Sequence, residues 1–307
     1  MSPNDDRKTA KGRLEQVAAH LQPLEIIARN SAGKQLTGKV CIVTGCNSVL
    51  GIGLASAHLF AANGAKAIYI CDYADTHLTS HEAEIKKLYP GVDVYARKFD
   101  AADEEGVKAV VGEAVERYGH LDGIVGAKDK KTNGPKVVGD IEAGEFMETL
   151  RVNTISAFLA VKHASKAMML SHPDKPAPGG SIIATASVAG IRSGAGGSDY
   201  SASKSAVINL MQTSAYQLQG TSIRCNALCP GLIETGMTSL LYKAAREKGV
   251  ERKIGQLNPL KRGGTAGEVA RVVLWLAGEG AGYVNAQAVA VDGGLSGSLP
   301  VMPGRFH

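Results

Sequence analysis

The chain has 307 residues, 44% of them hydrophobic, and a formal net charge of +5. That is enough apolar material for one large core. The mild charge is scattered, without aromatic residues interleaved among the basic ones, which argues against nucleic acid as a partner; no apolar run is long enough for a signal peptide or a membrane span.

Residues 1–37 read as an N-terminal extension. They open polar and charged, then pass through two short apolar stretches around Pro23, as a surface arm would, and the acids Asp5, Asp6, Glu15 and Glu25 count against a transit peptide. The next run, Lys39 to Val43, is of strand type and leads into Thr44-Gly45-Cys46-Asn47-Ser48-Val49-Leu50-Gly51-Ile52-Gly53, after which Leu54 to Ala62 reads as a helix. Glycines between a strand and a helix let the backbone turn tightly and approach a pyrophosphate, whose charge then rests on the helix N-terminus. Gly45, Asn47, Ser48, Gly51, Ile52 and Gly53 are the candidate contacts. Asp72 closes the following apolar run, Ala67 to Cys71, at the offset where an acid hydrogen-bonds an adenosine ribose.

Further strands are expected around Val94, Ile124, Ile182, Ile223 and Val289, which with Val40 and Ile68 makes seven. Short Val/Ile/Ala runs alternating with helix-length segments predict an α/β fold, a parallel sheet covered by helices on both faces. The catalytic chemistry sits in Tyr200-Ser201-Ala202-Ser203-Lys204, with Ser187 upstream. Tyr and Lys four apart lie on one side of a helix. Both titrate near pH ~10 in water, and a fixed ammonium one turn away is expected to pull the phenol down towards working pH. A Ser187 hydroxyl would hold the substrate oxygen whose proton the tyrosine carries, which is machinery for interconverting an alcohol and a carbonyl. Residues 232–262 are long for a connection and read as a lid, whose Met237, Leu240, Leu241 and Tyr242 suit a mainly hydrophobic small molecule or else pack the lid onto the body. Residues 296–307 form a tail.

Five cysteines, at 41, 46, 71, 225 and 229, are an odd number without metal-type pairing, and the eight histidines show no ligand spacing. The cysteines therefore read as buried free thiols in a reducing compartment, the cytoplasm by default, with no metal site expected. His58 and His163 are expected on helix surfaces.

Taken in order, these motifs resemble the short-chain dehydrogenase/reductase family, in its fungal-like branch, from about Gly38 to Leu295. The resemblance implies a Rossmann-type doubly wound sheet in a single catalytic domain over 38–295, an NAD(P)-dependent oxidoreductase, and a homodimer or homotetramer. It makes Asn153, Ser187, Tyr200 and Lys204 the catalytic tetrad, with Asn153 holding a water and Lys204 also steadying the cofactor ribose. Asp100 and Ala101 would lie near adenine, and Pro230, Gly231, Ile233 and Thr235 would grip the nicotinamide carboxamide. Ala206, Val207, Leu210, Met211 and Leu218 would join a helix-pairing interface or line the core. Two features depart from the pattern. Five residues separate Gly45 from Gly51 where most of the family has three, and Gly126-Ala127-Lys128-Asp129 stands where an Asn-Ala-Gly run is usual, leaving Ala127 in the place of a cofactor-contacting asparagine.

The long glycine loop resembles the enoyl-reductase branch, but that branch has six residues between its Tyr and Lys and this chain has three. The reading is therefore a secondary alcohol and ketone enzyme, possible roles in fungal secondary metabolism included. The alternatives are a carbon–carbon double-bond reductase and a catalytically silent nucleotide-binding scaffold. NAD is the preferred cofactor, with NADP possible: no Arg or Lys occurs between Gly45 and Gly64, and Tyr73 rather than a base follows Asp72. A 2′-phosphate would set like charge beside Asp72.

Overall fold

A computed structural model describes residues 34–126 and 136–297, the side chain of Arg252 excepted. Ala127, Lys128 and Asp129, most of the N-terminal extension and most of the tail lie outside the described residues. The strands are β1 (Val40–Thr44), β2 (Ala67–Asp72), β3 (Asp93–Lys98), β4 (Gly123–Gly126), β5 (Gly180–Thr185), β6 (Ile223–Pro230), β7 (Ile233–Glu234), β8 (Gly264–Thr265) and β9 (Ala288–Val291). Seven of them form one parallel sheet in the order β3-β2-β1-β4-β5-β6-β9, while β7 and β8 make a separate two-stranded ladder. The helices are α1 (Ile52–Ala62), α2 (Leu78–Leu88), α3 (Glu104–Tyr118), α4 (Ala143–Leu150), α5 (Ser156–Met168), α6 (Ser198–Gln217), α7 (Ser239–Glu247) and α8 (Ala266–Ala277).

The apolar runs of the strands have two faces to bury, and both are covered. Cys41 and Val43 of β1 and Ile68 and Ile70 of β2 pack under α1, α2 and α8. Val40 and Ile42, with Tyr69 and Cys71, face α3, α5 and α6. This is why the central strands read as continuous hydrophobic runs rather than alternating ones. All five cysteines are buried and free. Strand order reverses between β1, which pairs with β2 and β4, so a crevice opens beyond the carboxyl ends of β1 and β4. The glycine loop, Asp72, Gly126, Ser187 and Pro230–Gly231 all lie at or just past carboxyl ends of strands, on that one edge.

The structure refines several of these readings. Asn153 does not lie in a continuous α-helix: α4 gives way to a π-helical turn, Arg151–Ile155, before α5 begins. Val207 and Met211 of α6 are fully buried against the sheet, with Leu210 and Leu218 packed beside them, as the core-facing alternative for that stripe requires. Burial of such a side chain contributes about 1.5–3 kcal/mol, enough to dictate which way α6 faces. His58 lies buried on α1 against the Tyr89 ring, not on a surface, and His163 is bonded to Glu104. Lastly, the segment 232–262, read from sequence as a lid, is an excursion closed at its base, where β7 pairs with β8 through Ile233–Gly264 and Glu234–Thr265. Arg246 of α7 ties the excursion together by bonding Glu234 and Glu251. Tyr242 is buried, but Leu240 and Leu241 stay exposed, so they do not pack the lid onto the body.

Candidate active site

The glycine loop is shaped by contacts that tolerate no side chain. Gly45 takes φ 73°, in the left-handed region. A Cβ at Gly53 would lie 2.5 Å from the Thr44 carbonyl oxygen and 2.6 Å from that of Gly45; one at Gly51 would lie 2.9 Å from the Ser48 oxygen. The first turn of α1 is thereby pressed against the strand exit. Gly51 is its N-cap, Ile52 its first residue, and no side chain caps its free N–H groups. Uncapped donors at the positive end of a helix dipole, with backbone approach kept open, fit a pyrophosphate. Gly53→Ala is expected to weaken cofactor binding and cost about 1–3 kcal/mol of stability through overpacking. Dinucleotide titration with a parallel denaturation curve checks this, and unchanged affinity would show that α1 need not sit so close.

Asp72 ends β2 where expected and is partly engaged. One carboxylate oxygen accepts from the Asn47 N–H at 2.9 Å and the other from the Ala74 N–H at 3.2 Å. It therefore fastens the glycine loop to β2, and its remaining lone pairs are available to ribose hydroxyls. Asn47 in turn accepts from the His77 N–H at 2.7 Å. Ser48 reaches the base of the lid, where a Cβ on Gly236 would meet its Oγ at 2.6 Å. Val49 and Leu50 lie exposed in the lengthened part of the loop.

The structure brings the four tetrad positions together from three elements. Ser187 follows β5; its Oγ accepts from the Ala189 N–H at 3.1 Å and is hydrogen-bonded to the Tyr200 phenol. Tyr200 and Lys204 share one side of α6, the Lys204 Nζ lying 5.5 Å from the phenol ring centre. Lys204 is fully buried and donates to the Thr185 carbonyl at 2.8 Å. Gly190 lets the turn after Ser187 reach α6, since a Cβ there would lie 2.7 Å from the Lys204 carbonyl carbon. Asn153 is buried in the π-helical turn and donates to Ser203 Oγ at 3.0 Å, while Ser203 donates to the Tyr200 carbonyl. An inserted residue at a π turn re-aims the side chains around it.

The electrostatics differ from the expectation that the lysine pulls the phenol down. Burial pushes Tyr200 up, and only the Ser187 hydrogen bond works the other way. Burial also drives Lys204 down to about 7, the nearby Cys229 thiol opposing only in part. Desolvation disfavours both charged forms.

The other candidates fall around the same crevice, with different partners than the sequence suggested. Asp100 lies beyond β3 and accepts from Arg151 Nη1 at 2.9 Å. Ala101 lines a cavity of about 20 Å³ with Thr44, Phe99 and Gly126. Pro230 ends β6, and Gly231 passes so close to Asp292 that a Cβ would lie 2.8 Å from its Cα. Ile233 is buried in β7. Thr235 lies in the turn after β7, which Thr238 organises by accepting from the Thr235 N–H and donating to the Ile233 carbonyl; α7 begins at Ser239. Sequence reading missed Ser203, Gly190 and Arg151. Ser203 stands inside the Tyr–Lys motif, but its link to Asn153 spans fifty residues and has no local signal.

Residues 45–296 match a family model described as Enoyl-(Acyl carrier protein) reductase. The chain is 35% identical to 3-oxoacyl-(acyl-carrier-protein) reductase of Thermotoga maritima, over 85% of this chain and 99% of that one. Levodione reductase of Leifsonia aquatica is 34% identical over 88% of this chain and 98% of its own. A crystal structure of levodione reductase, 33% identical, superposes with a TM-score of 0.75, covering 86% of this chain and all of the other. A variant of actinorhodin polyketide ketoreductase solved with NADPH is 28% identical, with a TM-score of 0.75 over 85% of this chain and 98% of that one. Among the described residues no helix is long and apolar enough to cross a membrane. With this sheet, this glycine cradle and these relatives, the chain belongs to the short-chain dehydrogenase/reductase family and is an NAD(P)-dependent oxidoreductase.

Proposed function

We propose that the protein interconverts a secondary alcohol and a ketone on a mainly hydrophobic small molecule. The observation that carries this is the Tyr200 phenol hydrogen-bonded to Ser187, with Lys204 one turn behind it. The bound nicotinamide supplies the hydride chemistry. Ser187 orients the substrate oxygen. Tyr200, held protonated at neutral pH by burial, donates to that oxygen during carbonyl reduction and takes the proton back in the reverse direction. Lys204 holds the floor of the site through Thr185 and is placed to steady the ribose, and Asn153 is the positioning residue behind Tyr200 through Ser203. Leu240 and Leu241, exposed on α7, supply an apolar cover for the substrate. The narrowest form of the proposal, a place in fungal secondary metabolism, rests on the motif set alone. Mass spectrometry of cofactor-dependent products from a ketone and alcohol panel tests the reading; no carbonyl or carbinol change on any member would overturn it.

A second reading, carbon–carbon double-bond reduction, has the long glycine loop and the description of the matching family model in its favour. A saturated product with its carbonyl intact would establish it.

NAD is proposed as the preferred cofactor because Asp72 would meet a 2′-phosphate with like charge, costing on the order of 1–4 kcal/mol near a surface. Lys86, a base on the neighbouring helix, is engaged by Glu82. Asp72→Ala should erase the preference and also loosen the glycine loop, so NAD affinity falls while the NAD-to-NADP ratio moves towards one. Dissociation constants for both dinucleotides decide it: tighter NADP binding by the wild type, unchanged in the variant, would refute the assignment.

A further inference from the structure

At the opposite edge of the sheet from Tyr200, three side chains with metal-ligating chemistry converge from two loops. His120 precedes β4, and His172 and Asp174 lie in the loop before β5; one ligand atom of each falls within 4.8 Å of the other two. His120 is 1% exposed, and neither of its ring nitrogens has a hydrogen-bond partner. Its Nδ1 lies 2.9 Å from Asp122 Oδ2, without the geometry of a hydrogen bond, and that oxygen accepts from the Val40 N–H at 2.9 Å. A carboxylate beside Nδ1 favours the proton on that nitrogen and so leaves Nε2 the lone-pair donor, the arrangement that orients a metal-binding imidazole. A buried acceptor without a partner is otherwise destabilising.

The second imidazole is positioned as carefully. Gly119 takes φ 77°, and a Cβ there would lie 2.7 Å from His172 Nε2, so only glycine lets that ring rest beside His120. The two ring centres are 5.5 Å apart. His172 and Lys175 exchange backbone hydrogen bonds at 2.8 Å in both directions, and the Lys175 Nζ is anchored on the Leu121 and Met168 carbonyls. The loop is therefore stapled to the His120 turn. A cavity of about 360 Å³, lined by His120, Asp122, Asp174, Lys39 and Lys66, gives access from solvent.

We propose that His120, His172 and Asp174 form a divalent-metal site of zinc type, with water completing the shell. Two imidazoles and one carboxylate are a zinc donor set, and metal–ligand bonds of ~2.0–2.2 Å require the half-buried His172 and the exposed Asp174 to close in on buried His120. The ion would tie the turn before β4 to the loop before β5, a structural role remote from hydride transfer. Lys66 is the built-in competitor: its Nζ lies 3.0 Å from Asp174 Oδ2 and is held by no other carboxylate among the described ion pairs. Zinc must displace that ammonium.

The test is zinc titration of tag-free, full-length protein by calorimetry, with thermal unfolding alongside. One zinc per chain is expected, with a rise in melting temperature of ~5 °C at a hundredfold excess over Kd. His172→Ala and Asp174→Ala should each weaken binding at least ~tenfold and leave turnover unchanged, whereas Lys66→Gln should tighten it several-fold. No binding by the wild type, or equal affinity in wild type, His172→Ala and Asp174→Ala, would overturn the site. So would weaker binding by Lys66→Gln, since that would mark Lys66 as a support of Asp174 rather than its competitor.

Discussion

Tyr200→Phe is expected to keep the fold and near-normal dinucleotide affinity while losing ~10²–10⁴ of turnover, because only the proton-transfer group is removed. The ring stays, packed where it is, and Ser187 keeps its hydrogen bond from the Ala189 N–H. Steady-state kinetics on a verified substrate, with dinucleotide titration alongside, make the measurement. Wild-type turnover in the variant would remove Tyr200 from the chemistry. The raised phenol pKa adds a direction to the result. A protonated tyrosine is ready to donate at neutral pH, so reduction should run there, while alcohol oxidation, which needs the phenolate, should rise as pH increases. Opposite slopes for the two directions are the expected profile, and coincident pH profiles would contradict it.

Lys204→Met separates activity from stability. Lys204 is fully buried and bonds the Thr185 carbonyl, and its pKa falls from an unfolded value of ~10.4 to about 7. Between these values the unfolded chain binds a proton that the folded chain does not, so stability rises with pH across that window. The contribution is fully present above pH ~10.4 and is lost as pH falls through about 7. Below that, the fold carries a buried ammonium at a cost on the order of a few kcal/mol. The methionine variant should therefore be more stable than wild type at pH 6, lose that advantage by pH 10, and still lose most turnover and some cofactor affinity. Urea denaturation at both pH values reads this without any substrate. A variant less stable than wild type at pH 6 would mean that the bond to Thr185 outweighs the desolvation of the charge.

The two variants also show where function and stability diverge. Burial that raises the tyrosine and lowers the lysine destabilises the charged forms in the fold, yet it sets the protonation states on which the proposed proton transfer depends. The ammonium one turn away from the phenol suggests the reverse sign for Tyr200. The sign follows from depth, which four-residue spacing does not encode.

The sequence by itself determined the seven-stranded α/β sheet, because two-faced burial makes each strand a continuous apolar run and each crossover a helix-length segment. It determined the glycine cradle as well, since Gly51 and Gly53 stand where a Cβ would strike backbone oxygens. Tyr200 and Lys204 were legible for the same reason: both lie on one helix, where spacing fixes geometry. Tertiary structure alone decided the rest. The π-helical turn at Asn153 depends on contacts with Ser203 fifty residues away, and the stripe Val207–Met211 faces inward because the sheet is there to receive it. His120 and His172 meet only because β4 and β5 are neighbours, bringing their preceding loops to one edge. Local propensity and spacing act over a few residues; a partner supplied by an adjacent strand leaves no mark in the sequence on either side of it.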